Sequence, residues 1–193
     1  CMGRSDLRQG GAVLLMRSRR GRMGEYAFLD LSGAIEKNCA ALPEVGSAHT
    51  IHIYVSAINN EVHTRTLIDT LLGLGKRVVV PRCVSERRLR HFHINSLDEL
   101  RPSRFGLLEP DHIPQKEVKP ASLDLIIAPL LAFDRSGGRL GFGGGYYDDL
   151  FNQCFCPKAG LAYSFQETER VPFESHDRGL DIIVTEKETI RVR

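Results

Sequence analysis

Three side-chain types that could work together chemically crowd into one stretch, Arg139-Leu-Gly-Phe-Gly-Gly-Gly-Tyr-Tyr-Asp148. Counted from Gly137 to Gly145, six glycines fall in nine positions, a third of the chain's 18. Lacking Cβ, a glycine backbone turns with positive φ and brings its N–H groups close to a ligand. Successive N–H groups in such a turn make a concavity that attracts anions, and a helix starting at its exit adds a positive end. Arg139 places a fixed cation inside the loop, and Asp148 a hard oxygen ligand at its exit. Phosphate with a divalent cation is the chemistry these types support. The stretch is no common phosphate motif. No Gly-Lys-Ser/Thr closes it, and counting G-x-G-x-x-G from Gly141 puts Tyr146 where the third glycine belongs. A mobile surface loop is the plain alternative. A linker, however, would be rich in Ser or Pro and would not interleave with Arg139, Phe142, Tyr146 and Tyr147.

Other constellations carry less. His91 and His93 alternate along what reads as a strand and could pair on a metal, but no third ligand has usable spacing, and sheet histidines are the ordinary reading. Cys154-x-Cys156 could be half a zinc site, yet no second pair exists. No Ser-His-Asp array is visible. Five cysteines (Cys1, Cys39, Cys83, Cys154 and Cys156) are an odd number in a chain too large for a disulfide-stapled miniprotein, so reduced thiols are expected. A net charge of +2 over 193 residues argues against a dedicated nucleic-acid binder. No apolar stretch approaches the ~18 residues of a membrane span. The longest, Leu125 to Phe133, is nine residues and contains Pro129. Nothing near the start combines a basic region, an apolar run and a small-residue cleavage site, and Cys1 ahead of Met2 reads as a tag remnant or a trimmed chain. The expectation is a cytoplasmic monomer with neither membrane nor nucleic-acid partner.

A loop of this kind needs rigid elements on either side. Thr50-Ile-His-Ile-Tyr-Val55, rich in β-branched and aromatic residues, reads as a strand. Leu67, Ile68, Leu71 and Leu72 then share one helical face that ends at Gly73 or Gly75. Arg77-Val-Val-Val80 is a short strand stopped by Pro81, and Leu89 to Ile94 an edge or hairpin strand. Leu123-Asp-Leu-Ile-Ile127 has the continuous apolar character of a strand covered on both faces. Gly160 to Tyr163 and Asp181 to Val184 complete the series. Strand–helix–strand units this short predict an α/β fold: one mostly parallel open sheet flanked by helices, Rossmann-like and three-layered, with right-handed crossovers. The stretch bearing Pro102, Pro110, Pro114 and Pro120 reads as an insertion over the sheet. Ligands of open α/β sheets sit beyond the carboxyl ends of strands, which is where the glycine loop falls.

The string Arg139 to Asp148 closely resembles the signature of the 5-formyltetrahydrofolate cyclo-ligase family, also called methenyltetrahydrofolate synthetases. Further fragments resemble that family in the same order: Glu61-Val-His-Thr64, Gly75 to Pro81, Gly106 to Pro110, Pro129 to Asp134, Gly160 to Gln166, Val171-Pro172 and Asp177-Arg-Gly-Leu-Asp181. At 193 residues the chain is most simply one domain, residues 1–193, and the resemblance runs from about Ile51 to Thr185. It implies ATP-dependent conversion of 5-formyltetrahydrofolate to 5,10-methenyltetrahydrofolate, with Mg²⁺ and release of ADP and phosphate. By the same resemblance, ATP lies against Arg139, Leu140, Gly141, Phe142, Gly143, Gly144, Gly145, Tyr146 and Tyr147, with Arg139 catalytic. The folate meets Val55, Glu61 and Phe142 to Tyr146, and Mg²⁺ is held by Asp148 and Asp181. Alternatives stay open for several of these. Asp181 could cap a strand start, Glu61 could be an exposed helix-start glutamate, and Tyr146 and Tyr147 could simply anchor the loop by packing.

The N-terminal segment, residues 1–22, departs from the family pattern. A helix with a basic pair four residues apart is expected to reach the nucleotide, but the pair would fall near Gly10 and Leu14, leaving Arg4 or Arg8 as substitutes in a shifted register. Gly10, Gly11 and Gly21 also make the segment a weak helix former. Arg17-Ser-Arg-Arg-Gly-Arg22 is either the family's later basic run or a solvated face. Two other function classes remain: a binding module that has lost turnover, and an RNA binder using Arg17 to Arg22 with Arg87 to Arg90. The low net charge and lack of stacking aromatics weigh against RNA.

Overall fold

A computed structural model of the chain describes residues 4–85, 88–103, 106–171 and 178–192. Helices α1 (Arg4–Gly21), α2 (Glu25–Ala40) and α3 (Pro43–Ser47) precede strand β1 (Thr50–Ile53) and helix α4 (Arg65–Gly73). Strands β2 (Arg77–Ser85), β3 (Arg88–Ile94), β4 (Leu100–Pro102), β5 (Leu108–Pro110) and β6 (Leu125–Pro129) follow. The short pair β7 (Ala132–Phe133) and β8 (Arg139–Leu140) leads into α5 (Tyr146–Asn152), then β9 (Lys158–Leu161), β10 (Ile182–Val184) and β11 (Thr189–Arg191).

Among the described residues, seven strands make one sheet in the order β11-β10-β9-β6-β1-β2-β3. The five inner strands run parallel, while β3 and β11 pair antiparallel at the edges. From β1 the chain moves outward to β2 through α4. From β6, on the other side of β1, it moves the opposite way to β9 through α5. Right-handed crossovers in opposite directions place α4 and α5 on opposite faces. The side chain of His52 accordingly meets Tyr147 of α5, while Leu67, Ile68 and Leu71 of α4 pack into the core on the other face, beside α2. The point between β1 and β6 where the winding reverses leaves a crevice at the strand ends, the ordinary ligand position in such sheets.

Ile51, Ile53, Val78, Val80, Leu125 and Ile127 are all fully buried, as expected of strands covered on both faces. Two local expectations differ. Pro81 does not stop its strand, since β2 continues to Ser85 with Pro81 opposite His91. The β1 pairing ends at Val79, so beyond it β2 has a single neighbour, an edge-like place where a missing N–H is tolerated. The glycine-bearing N-terminal segment is helical from Arg4 to Gly21 because tertiary contacts at Met16 and Arg20, both buried, offset its weak propensity. The proline-bearing insertion docks on β3, where Val118 N–H donates to His91 O at 2.8 Å.

Candidate functional site

One wall of the crevice is the turn after β1. Thr64 Oγ1 donates to Tyr54 O at 2.8 Å and accepts from Ser56 N at 2.9 Å, and Ser56 Oγ accepts from Thr64 N at 3.0 Å. Tyr54 OH donates to Val62 O at 2.8 Å. Asn59 and Asn60 take left-handed conformations, with φ of 50° and 47°, a region asparagine tolerates better than most residues. This frame presents Glu61, 7% exposed, whose Oε1 accepts from Ala57 N at 2.8 Å and Ile58 N at 3.4 Å. Its Oε2 accepts nothing among the described residues. Burial pushes the Glu61 carboxyl above the usual range, opposed by the Ala57 N–H and then by the nearby Arg20 charge. A cavity of ≈ 310 Å³ opens here, lined by Phe28, residues 56–61, His63 and Arg65. Glu61 therefore lies four residues ahead of α4 and is buried; it is not an exposed helix-start glutamate. Val55 is buried in the core cluster and does not line this cavity.

The other wall is the glycine loop. Its base is tied by buried Asp134, which accepts from Ser136 N at 2.8 Å, Ser136 Oγ at 2.6 Å, Gly138 N at 3.1 Å and Val171 N at 2.7 Å. Those bonds hold the Asp134 carboxyl below its ordinary range against the opposing effect of burial. Leu140 O accepts from Leu131 N at 2.7 Å, fixing the loop to the end of β6. From Gly141 to Gly145 no backbone N–H donates to any acceptor among the described residues. Gly143 and Gly145 have φ of 87° and 67°, and a Cβ on Gly144 would meet the Tyr146 ring at 2.5 Å. The loop is thus a short row of free donors that only glycine permits. Phe142, 41% exposed, stands at its tip.

Arg139 packs against the start of that row, its Nη1 2.9 Å from where a Cβ on Gly141 would lie. Its side chain is 6% exposed, donates to Asp148 Oδ1 at 2.5 Å, and lies over the rings of Phe151 at 5.1 Å and Tyr147 at 5.9 Å. Asp148 keeps Oδ2 free of hydrogen bonds among the described residues, whereas exposed Asp149 accepts from Gln153. Tyr147 is buried and anchors α5. Asp181 is not brought near Asp148. It precedes β10 on the strand-start edge, where its Oδ2 accepts from Lys158 N at 2.8 Å, just as Asp124 Oδ2 accepts from Thr50 N at 2.7 Å. All parallel strands start on that edge and the glycine loop follows a strand end, so the fold separates the two expected metal carboxylates. Among the described residues no group of three or more His, Cys, Asp or Glu is arranged to hold a metal. The side chains of Arg4 and Arg8, and Pro172, Asp177 and Arg87, lie outside what the structure describes.

Arg20 was not legible as a site residue. It is not part of a solvated face: it is 1% exposed and sits in the crevice itself, with Phe142 stacked on it at 5.6 Å. Only its place in an arginine-rich run hinted at a role.

Sheet and crevice together define an open α/β protein whose strand ends hold a buried carboxylate opposite a loop of unused N–H donors. The chain belongs to the 5-formyltetrahydrofolate cyclo-ligase family, whose model matches residues 3–186. It is 32% identical to the 5-formyltetrahydrofolate cyclo-ligase of Escherichia coli K12, across 89% of this chain and 96% of that one. It is 27% identical to a probable 5-formyltetrahydrofolate cyclo-ligase of Schizosaccharomyces pombe, across 96% and 98%. Its fold is similar to the NMR structure of Aquifex aeolicus 5,10-methenyltetrahydrofolate synthetase, with TM-score 0.85, 32% identity, and 96% and 93% of the two chains covered. The family's reaction is the ATP-dependent conversion of 5-formyltetrahydrofolate to 5,10-methenyltetrahydrofolate.

Proposed function

We propose that this chain carries out that conversion by phosphorylating the formyl oxygen. A formyl oxygen is a poor leaving group, so direct closure by N10 stalls. Transfer of the γ-phosphoryl group of ATP to that oxygen releases ADP and creates a phosphate leaving group. N10 then attacks the formyl carbon and loses its proton, phosphate departs, and the methenyl bridge remains. Phosphoryl transfer of this kind needs positioning and charge neutralisation more than a protein nucleophile. The observation that carries this reading is the row of free N–H donors, Gly141 to Gly145, set across one crevice from the free oxygen of buried Glu61.

In this reading the N–H donors receive the phosphates, and Glu61 accepts from N–H donors of the folate ring system. Phe142 to Tyr146 lie between the two ligands. Arg139 acts by holding Asp148 and the first turn of α5 beneath the phosphates. Mg²⁺ commonly uses one or two protein carboxylates and takes its remaining ligands from phosphate and water, and the single free oxygen of Asp148 fits that habit. Asp148 would hold the ion, which when bound neutralises phosphate charge. Asp181 does not fit. Every residue invoked comes from one chain, and the same reading takes the protein to be a cytoplasmic monomer.

Purified protein given 5-formyltetrahydrofolate and MgATP should form the methenyl product, followed by its near-ultraviolet absorbance, with one ADP per turnover. Binding of both ligands without product would favour the module that has lost turnover.

A further inference from the structure

Buried cations are ordinarily paired with anions. The Arg20 guanidinium is 1% exposed, yet among the described residues no carboxylate lies within ion-pair distance of it. Its partners are backbone carbonyls: Nε donates to Asn59 O at 2.8 Å, Nη2 to Ile58 O at 3.3 Å, and Nη1 to Leu130 O at 3.3 Å. Ile58 and Asn59 lie beyond the end of β1, and Leu130 just beyond the end of β6. The planar fork therefore bridges the two strands between which the winding reverses. The grip is mutual, since Asn60 Nδ2 donates to Arg20 O at 2.9 Å and Met23 O at 3.2 Å. Above the fork lies Phe142, from the tip of the glycine loop.

We propose that Arg20 is the positioning residue that joins the two walls of the site. Its fork fixes the turn behind Glu61, its face seats Phe142, and its charge acts on the Glu61 carboxylate. This rests on the reading of Glu61 as the folate acceptor. An ionised Glu61 is a strong acceptor at both oxygens with no O–H of its own, and burial works against that form while Arg20 works for it. Tyr54, Tyr147 and Tyr163 face Glu61 as neutral phenols, His63 and Arg65 line the same cavity, and Arg17 is the other cation near Arg20. Arg20 is the cation whose charge favours the ionised form of Glu61.

The test measures kcat and both KM values against pH for the full-length chain carrying R20Q, R20K, E61Q or R20Q with E61Q. R20Q should raise the folate KM about tenfold near neutral pH and move the acid limb of its profile upward by about one pH unit, as loss of a nearby opposite charge does. R20K keeps the charge, so its limb should stay near that of the parent protein while kcat falls severalfold, because an ammonium cannot span three carbonyls. In the E61Q background R20Q should move no limb, there being no carboxylate left to titrate. An identical limb in R20Q and the parent, or an R20K variant with unaltered kcat, would overturn the proposal. If R20Q does not fold, the kcat of R20K decides the matter. E61Q with an unchanged folate KM fails the reading of Glu61 itself, a result distinct from either outcome at Arg20.

Discussion

On the Glu61 side of the crevice, side chains and backbone bind one another almost completely. Tyr54, Ser56, Glu61 and Thr64 exchange short hydrogen bonds within one turn, and Asn59 Nδ2 is the buried exception. On the α5 side, both ring nitrogens of His52, Nδ1 of His91, the Tyr147 hydroxyl and Nε of Arg139 are buried without a hydrogen-bond partner. The His52 ring lies 5.0 Å from that of His91 and 5.9 Å from that of Tyr147. An unsatisfied buried polar atom costs about 1–3 kcal/mol, so α5 is held less firmly than the turn opposite. The difference suits the two tasks proposed for these walls. A wall that recognises one ring system gains from rigidity, whereas a wall that receives a triphosphate and its ion must be able to settle around them.

The largest effect should come from cutting the main polar tie of the looser wall. Arg139→Ala leaves Asp148 unpaired and removes the cation beneath α5, and kcat should fall by about a thousandfold, the scale of losing one charge-stabilising contact. Faster hydrogen exchange across α5, with residues 54–64 unaffected, would accompany it. Steady-state kinetics like those of the parent would show that Arg139 has no part in holding the site.

Acid should separate the walls next. Burial holds His91 down at about 4, and His52 well below its ordinary value, so the unfolded chain takes up protons that the folded chain refuses. The stability linked to these rings is fully present above about pH 6.5 and is lost as pH falls toward 4, by about 3 kcal/mol for His91 alone. Urea melts at pH 7.5 and pH 5 should show the loss, and His91→Phe should flatten it. A variant with the same acid slope as the parent would move the cause elsewhere.

Glu61→Gln should weaken folate about tenfold and leave nucleotide affinity intact, because the amide keeps the shape but loses the charged acceptor. Calorimetric titration with each ligand separately checks this, and equal losses for both would mark a structural effect. The smallest change should follow Asp148→Asn, a severalfold rise in the Mg²⁺ needed for half-maximal rate, partly restored by excess ion. Asp149→Asn and Asp181→Asn serve as controls and should behave like the parent in Mg²⁺ titrations. A defect in Asp149→Asn instead would shift the ligand by one residue.

What could be seen in advance was what local pattern encodes. Apolar strands around Ile51, Val78, Leu125 and Ile183, the helical face of Leu67 to Leu71 and the glycine loop past β6 all carry their signal within a few residues. What escaped depends on partners distant in sequence. Propensity counted Gly10 and Gly11 against α1 because the anchoring of Arg20 is invisible from within the helix. Asp181 resembles a metal ligand by its place in a fragment, yet in the sheet it caps a strand start. Arg139 and Asp148 were assigned separate tasks, and the turn of α5 binds them to each other.

The reach of Arg20 also has a consequence for how the protein comes into being. Its three acceptors lie 38, 39 and 110 positions further along the chain, and Phe142 beyond them. During synthesis α1 emerges first, and its guanidinium then waits for more than half the chain before its last carbonyl exists. The crevice therefore cannot close on a fragment that stops short of Leu130 and Phe142. Order of synthesis and order of site assembly thus run opposite to each other: a helix made early finds its last partners late.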